Sequence, residues 1–323
     1  MRLLRLRSAW GLAGLRGDHC GRLLAGLRAD GWDGVEASLD DVGESHEQRL
    51  ACCKAAQAEG ISLVLSAYSS WKNYEGPFDS SRSVDGHVQG IVAELREIAE
   101  LHSRSSSILK VNAHSGTDAW SEGDAQSYFQ AVISETNALG EALPAVSHET
   151  HRGRYLCCPF VTARLLEHVP ALRLTSDFSH WVVKCERLLD TADERRLLDE
   201  IIAPAVDHVH ARIGTRQAAQ VVHPQHSSVR PAAERHYEWW RAVWSAREAA
   251  SFSNRDAAIT ATIEYGPTEV GASGEYVGYT PVTLGLEPVG GLSHDELLLA
   301  SRTALDETFE KWHSCAARAG GSW

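Results

Sequence analysis

No Cys-x-x-Cys pair occurs in this chain of 323 residues. Its seven cysteines include two adjacent pairs, Cys52–Cys53 and Cys157–Cys158, which are poorly placed to bridge each other. That excludes a zinc knuckle and a disulfide framework and leaves buried, reduced thiols, as expected of a cytoplasmic protein. No apolar run reaches the ~18 residues of a membrane-spanning helix, so no membrane partner is expected. Basic residues are the minority: 31 Lys and Arg stand against 43 Asp and Glu, a formal net charge of -12. A chain that tracks phosphates carries a basic stripe, so nucleic acid is excluded as a partner. A Gly-x-Gly-x-x-Gly turn is also missing from "SAWGLAGLRGDHCG", which argues against a doubly wound nucleotide-binding sheet.

What is present is a regular alternation. The composition, 43% hydrophobic and 23% charged, is that of a globular protein able to bury a large core. Eight short β-branched or apolar runs predict strands: "LLRLRSA", "GVEASL", "ISLVLSAY", "SILKVNAH", "AVSHET", "LRLTSDF", "DHVHARI" and "ITATIEY". Helical patterns lie between them, including one continuous helix over "ERLLDTADERRLLDEII" and a last helix capped by Ser293 with Glu296 three residues on. Strand, helix, strand at this rhythm implies parallel pairing, and eight units close into an α/β fold, a (β/α)8 TIM barrel. We expect one domain over 1–323, with long loops after strands seven and eight, from Gly214 to about Arg235 and from Gly266 to about Leu292. The opening "MRLLRLRSAWGLAGLR" holds four Arg and no acid. It reads as the first strand, with an organelle-targeting segment as the alternative. The Trp-rich 230–244 stretch reads either as the seventh barrel helix or as the interface helix of a homo-oligomer.

The chemistry gathers at the predicted strand ends. The fourth strand ends at His114 and the fifth at Glu149. The sixth ends at Asp177 with His180 just beyond, the seventh carries His208 and His210, and the eighth ends at Glu264. In a barrel those ends converge on one axis. Three converging carboxylates repel unless a cation joins them. Glu149, Asp177, His210 and Glu264 are therefore the expected ligands of one divalent metal ion, Mn, Mg, Co or Zn. His210 is preferred to His208 because it stands nearer the strand's C-terminal end. Trp10, Trp71, Trp120 and Trp181 lie near strand ends and suit apolar walls against sugar C–H faces.

With Glu149 on strand five, Asp177-x-x-His180 on strand six, His208-x-His210 on strand seven and Glu264 on strand eight, the chain resembles the xylose-isomerase-like barrel superfamily of sugar phosphate isomerases and epimerases. The resemblance runs from the first strand to "IEYGP". It implies a metal-dependent isomerase or epimerase of a sugar, or of a sugar-like polyol or keto-acid. Glu149 and Glu264 would be the catalytic acid/base pair around a metal-stabilised enediolate. It also implies that His180 and Arg216, six residues past His210, bind a small carbohydrate-like substrate. Ketose 3-epimerases of this group carry Glu-x-x-Asn-Arg-x-Glu after strand five. Here "ETHRGRY" puts Tyr155 in place of the second Glu. His151, Arg152 and Arg154 form a cationic cluster instead, suited to a substrate carboxylate or phosphate, with Arg212 able to join it. His114 and Trp181 complete the expected substrate wall.

Three other readings share these residues. A dehydratase or lyase acting on a keto-inositol-like substrate begins with the same proton abstraction. An endonuclease-IV-like nuclease would need a His ending strand three and an Asp-x-His after strand seven, where this chain has "LSAYSSW" and "VVHPQHSS". A barrel that binds ligand without turnover would have no use for four intact ligands.

Overall fold

The computed structural model describes residues 1–221, 223–250, 258–270, 276–278, 283–284, 287–288 and 292–319. Eight parallel strands close a barrel in sequence order: β1 (Arg2–Ser8), β2 (Gly34–Ser38), β3 (Ser62–Tyr68), β4 (Ile108–His114), β5 (Val146–Glu149), β6 (Leu174–Ser176), β7 (Val206–His210) and β8 (Ala258–Ile263). β8 pairs back onto β1 from Arg2↔Ala258 to Arg7↔Ile263, so the barrel itself has no open edge. Around it run α1 (Cys20–Ala29), α2 (Leu39–Val42), α3 (His46–Ala58), α4 (Val84–Arg104), α5 (Glu122–Leu139), α6 (Pro159–His168), α7 (Phe178–Cys185), α8 (Ala192–Leu197), α9 (Arg230–Ala250) and α10 (His294–Ala319). This is the (β/α)8 barrel that the alternation predicts. The connection after β8 carries two antiparallel ribbons, β9 (Thr268–Val270) with β10 (Tyr276–Gly278) and β11 (Thr283–Leu284) with β12 (Glu287–Pro288). The rest of that predicted loop lies outside the described residues.

The two-residue period of the strands sorts side chains between two environments. Val35, Leu63, Leu65, Val111, Val209 and Ile259 belong to the main core, together with helix residues such as Leu24, Ile91, Leu95, Phe129 and Trp239. The alternate positions turn into the lumen. Near its N-terminal end Leu4, Leu6 and Val64 form a small separate apolar cluster. Above them the lumen is polar: Glu36, Asn112, His208, His210, Thr260 and Thr262 are buried there and hydrogen-bonded to one another. Barrels of this type usually fill that space with branched aliphatic side chains. The start of the Arg-rich opening segment forms β1, in which Arg5 pairs with Asp33 and Asp306 and Arg7 with Asp295.

Ser293 and Glu296 cap the last helix reciprocally, as the spacing predicts. The helix predicted over 186–202 begins only at Ala192, its first residues forming a turn after a shorter helix. α7 begins directly after β6, with the Asp177 side chain accepting from the Ser179 amide. Glu186 and Leu189 then take φ of 53° and 51°, turning the chain before a Thr191/Glu194 capping box restarts it as α8. Apolar spacing continues across this break, which is why periodicity alone misses it. The Trp-rich 230–244 stretch is part of α9, with Trp239, Trp240 and Trp244 buried. No helix among the described residues is long and apolar enough to cross a membrane.

Close strand packing fixes Gly34 at the start of β2. A Cβ there would lie 2.5 Å from the Ser62 carbonyl oxygen and 3.0 Å from Leu6. Gly34→Ala should lower unfolding stability by about 1–3 kcal/mol through overpacking. Gly21→Ala, on α1 with nothing within 4 Å of the new methyl, should raise it by up to ~1 kcal/mol. Urea unfolding of the two variants checks the contrast.

Candidate metal centre

Glu36 organises the lumen from the middle of β2. Its carboxylate accepts from His210 Nε2 (3.0 and 3.1 Å), His208 Nε2 (3.0 Å), Asn112 Nδ2 (2.9 Å) and the Thr262 hydroxyl. Burial opposes the charge on Glu36, but the two imidazoles outweigh it and hold the carboxyl well below its usual range. An ionised carboxylate only accepts, so both Nε2 atoms carry the proton. The other nitrogen of His208 accepts from Thr260 Oγ1 at 2.6 Å, which makes this residue a fully bonded lower-layer group. The other nitrogen of His210 instead faces the C-terminal mouth, 2.9 Å from Glu264 Oε2 and 3.7 Å from Glu149 Oε1, and forms no hydrogen bond.

Three carboxylates meet that nitrogen from three strand ends. Glu149 is the last residue of β5, Asp177 follows β6, and Glu264 follows β8. One ligand atom from each of Glu149, Asp177, His210 and Glu264 lies within 4.8 Å of all the others. Glu149 Oε1, His210 Nδ1 and Glu264 Oε2 are buried without a hydrogen-bond partner. Burial, reinforced by the charges of Glu264 and Asp177, pushes Glu149 up to about 8. Asp177 is raised by burial, against the pull of Arg212. At Glu264 burial is overcome by Arg212 and His210, and the carboxyl is held below its ordinary value. At His210 burial is overcome by Glu36, Glu264 and Glu149, and the imidazole is raised well above its own. The Arg212 guanidinium rests on Asp177 and lies 3.5 Å from Glu264, partly answering this crowding of negative charge. Orphaned donor atoms, a mixed O/N set and a carboxylate-oriented imidazole fit a divalent ion. Two three-residue groupings overlap this one, Glu36–His208–His210 and Glu149–His151–His180.

The centre floors a cavity of about 320 Å³, the size of a small-molecule pocket. His114 lies in its wall, stacked on Tyr68 at 4.3 Å, with Nδ1 2.9 Å from the Tyr74 hydroxyl and 3.1 Å from Glu149 Oε2. His151 stacks on Tyr74 at 4.4 Å and touches the His180 ring at 3.7 Å. His180 Nε2 accepts from Arg212 Nη2 at 2.7 Å, so the sequence-predicted His114, His151, His180 and Arg212 do come together. Trp10 also lines the cavity.

Other expected substrate contacts point elsewhere. Trp181 is fully buried, and its indole donates to the Leu156 carbonyl; one helical position beyond His180, it turns into the core. Arg154 is fully buried, and its guanidinium is taken by the carbonyls of Ser70, Trp71 and Gly116 and by Tyr74. It holds the loop after β3 rather than facing the cavity. Arg152 is half-buried behind His151, which donates to its carbonyl, and Arg216 is exposed; neither lines the cavity. Glu36, Asn112 and Tyr74 are the residues that sequence reasoning missed. A charged residue inside the otherwise small and apolar "GVEAS" was the available signal for Glu36.

A scan against protein-family profiles finds no match, and no curated protein sequence matches the chain. Solved structures do match. A D-psicose 3-epimerase from Clostridium cellulolyticum H10, solved with D-tagatose, has 11% identity and a TM-score of 0.55, over 95% of this chain and 98% of that one. A xylose isomerase domain protein from Alicyclobacillus acidocaldarius has 14% identity and a TM-score of 0.54, over 96% and 99%. A family 2 AP endonuclease from Brucella melitensis has 15% identity and a TM-score of 0.53, over 84% and 96%. The fold is that of the xylose-isomerase-like barrels. At these identities the likeness extends to the fold alone.

Uptake of a divalent ion must displace the protons that the crowded centre holds on Glu149 and His210. Ion affinity should therefore rise with pH towards about 8, with net proton release seen by calorimetry in buffers of differing ionisation enthalpy. An affinity that stays flat from about pH 6 to about pH 8 would show that these groups do not bind the ion. Glu36→Gln should weaken ion binding about 10–100-fold by removing the anionic partner of His210.

Proposed function

We propose that the protein is a divalent-metal-dependent enzyme that moves a proton at the carbon beside a carbonyl of a small polyhydroxylated substrate, as an isomerase or epimerase. Glu149, Asp177, His210 and Glu264 would hold the ion. When bound, such an ion withdraws electron density from a substrate carbonyl and its neighbouring hydroxyl and so acidifies the C–H bond between them.

The observation that carries this reading is a pair of carboxylates that each keep one oxygen free of hydrogen bonds at the cavity floor. Glu149 Oε2 is held by Asn112 Nδ2 at 2.9 Å and approached by His114 Nδ1 at 3.1 Å, while Oε1 is bare. Glu264 Oε2 makes no aligned hydrogen bond and is held by charge alone, 2.9 Å from His210 Nδ1 and 3.5 Å from Arg212 Nη2. A bare, desolvated carboxylate oxygen is a competent proton acceptor, and the second carboxylate can return a proton to the same carbon or its neighbour. Return to the neighbouring carbon gives an isomerase; return to the opposite face of the same carbon gives an epimerase. His151 and Tyr74 wall off water on one side, and His180 and Arg212 offer polar contacts to substrate oxygens.

Support against a three-metal nuclease comes from β3, which ends in Tyr68 stacked on His114, where such a site needs a further His ligand. The net charge of -12 weighs the same way.

The test is hydrogen exchange into substrate C–H positions in deuterated water, across sugars, keto-acids and inositols, with the ion supplied. It reports proton abstraction whatever the product, including the loss of water by a lyase. Glu149→Gln and Glu264→Gln should each cut exchange by about 10²–10⁴-fold. Exchange that survives both substitutions would remove the carboxylate pair from the chemistry.

A further inference from the structure

Arg212 stands two residues past His210, is 1% exposed, and still lines the cavity. Its Nε donates to Ser179 Oγ at 3.2 Å. Its Nη2 donates to Asp177 Oδ2 and to His180 Nε2. Its Nη1 meets no acceptor among the described residues. A guanidinium keeps its charge under all ordinary conditions, and this arm opens on the cavity. The neighbouring acceptors are engaged elsewhere, Glu264 Oε2 lying closer to His210 than to Arg212. His180 has spent its accepting nitrogen on Nη2. Asp177 has spent Oδ1 on the Ser179 amide and hydroxyl and Oδ2 on Nη2. The free N–H groups of Nη1 therefore await an acceptor from the cavity.

We propose that the substrate carries a carboxylate and that Arg212 Nη1 anchors it. This deepens the proton-transfer reading and rests on it for the location of the reacting carbon. Among the described residues Arg212 is the only guanidinium that lines the cavity, so a substrate anion has one place to pair there. A carboxylate fits better than a phosphate. The free donors are those of one guanidinium arm, whereas phosphate sites typically recruit several backbone amides at a helix N-terminus. Here the Ser179 amide at the start of α7 is already taken by Asp177. The small cavity points the same way.

The test is calorimetric binding to the ion-loaded protein of three ligands of equal carbon number: a six-carbon keto-aldonate, the neutral ketose and the ketose phosphate. The keto-aldonate should bind about tenfold or more tightly than the ketose. Arg212→Gln should abolish that preference by weakening keto-aldonate binding far more than ketose binding, and Arg212→Lys should restore part of it. Retained ion stoichiometry and melting temperature identify variants that are folded. Equal binding of acid and ketose, a preference that survives Arg212→Gln, tighter binding of the phosphate, or no binding of any of the three would each overturn the proposal. The wild-type comparison alone decides the matter if both variants fail to fold. Preferential keto-aldonate binding without C–H exchange would keep the anchor and remove the proton-transfer reading. Exchange confined to the neutral ketose would do the reverse.

Discussion

The contact between Glu36 and His210 governs the geometry of everything above it. An imidazole has two nitrogens, and the hydrogen bond made by one decides what the other can do. Glu36 claims Nε2 from below, so Nδ1 is presented upward to Glu149 and Glu264. Asn112 extends the arrangement sideways: its amide nitrogen donates to Glu36 Oε1 and Glu149 Oε2, both at 2.9 Å. Two carboxylates that belong to different layers of the barrel are thus spaced by one neutral side chain. If Glu36 were lost, His210 could rotate or exchange its tautomer, and the carboxylates would have no fixed nitrogen to converge on.

This arrangement divides the labour between the two faces of the sheet. The outward face packs against the helices and supplies the burial that holds the barrel closed, through Val35, Leu65, Val111 and Val209. The inward face has been given over to polar groups that satisfy one another. Such networks are stabilising only when nearly every member finds a partner. Glu36, His208, Thr260 and Thr262 do so. One layer higher, Glu149, His210 and Glu264 each keep an unsatisfied atom, and Asn112 Oδ1, between the two layers, is unsatisfied as well. The contrast between a satisfied layer and an unsatisfied one marks where a ligand is needed.

Much of this was legible in the residues. Strands stand out because their two-residue alternation is short-range and their helices intervene at regular intervals. The convergence of Glu149, Asp177, His210 and Glu264 follows once eight parallel strands are granted, since closure brings the C-terminal ends together. Glu36 was not legible in that way. It lies in the middle of β2 rather than at its end, and its partner His210 is 174 positions away. Arg154 and Trp181 were misread for a related reason. Proximity in sequence to a strand end does not say which way a side chain turns; a helical step of one residue separates His180 in the site from Trp181 in the core. The late start of the helix predicted from Glu186 shows the same limit, because apolar spacing carries no record of the turn at Glu186 and Leu189.

Arg154 leaves a last consequence. It comes from the segment after β5, and it grips the Ser70 and Trp71 carbonyls after β3 and the Gly116 carbonyl after β4. The gripped segment includes Trp71, Asn73 and Tyr74, all at positive φ, a backbone that such side chains rarely adopt unaided. Three connections are thereby welded into one unit by a single cation. (β/α)8 barrels are often thought of as scaffolds whose loops drift one by one. On this flank they cannot: a loop exchanged alone would strand a buried charge, so these three segments must be transplanted, or must diversify, as one cassette.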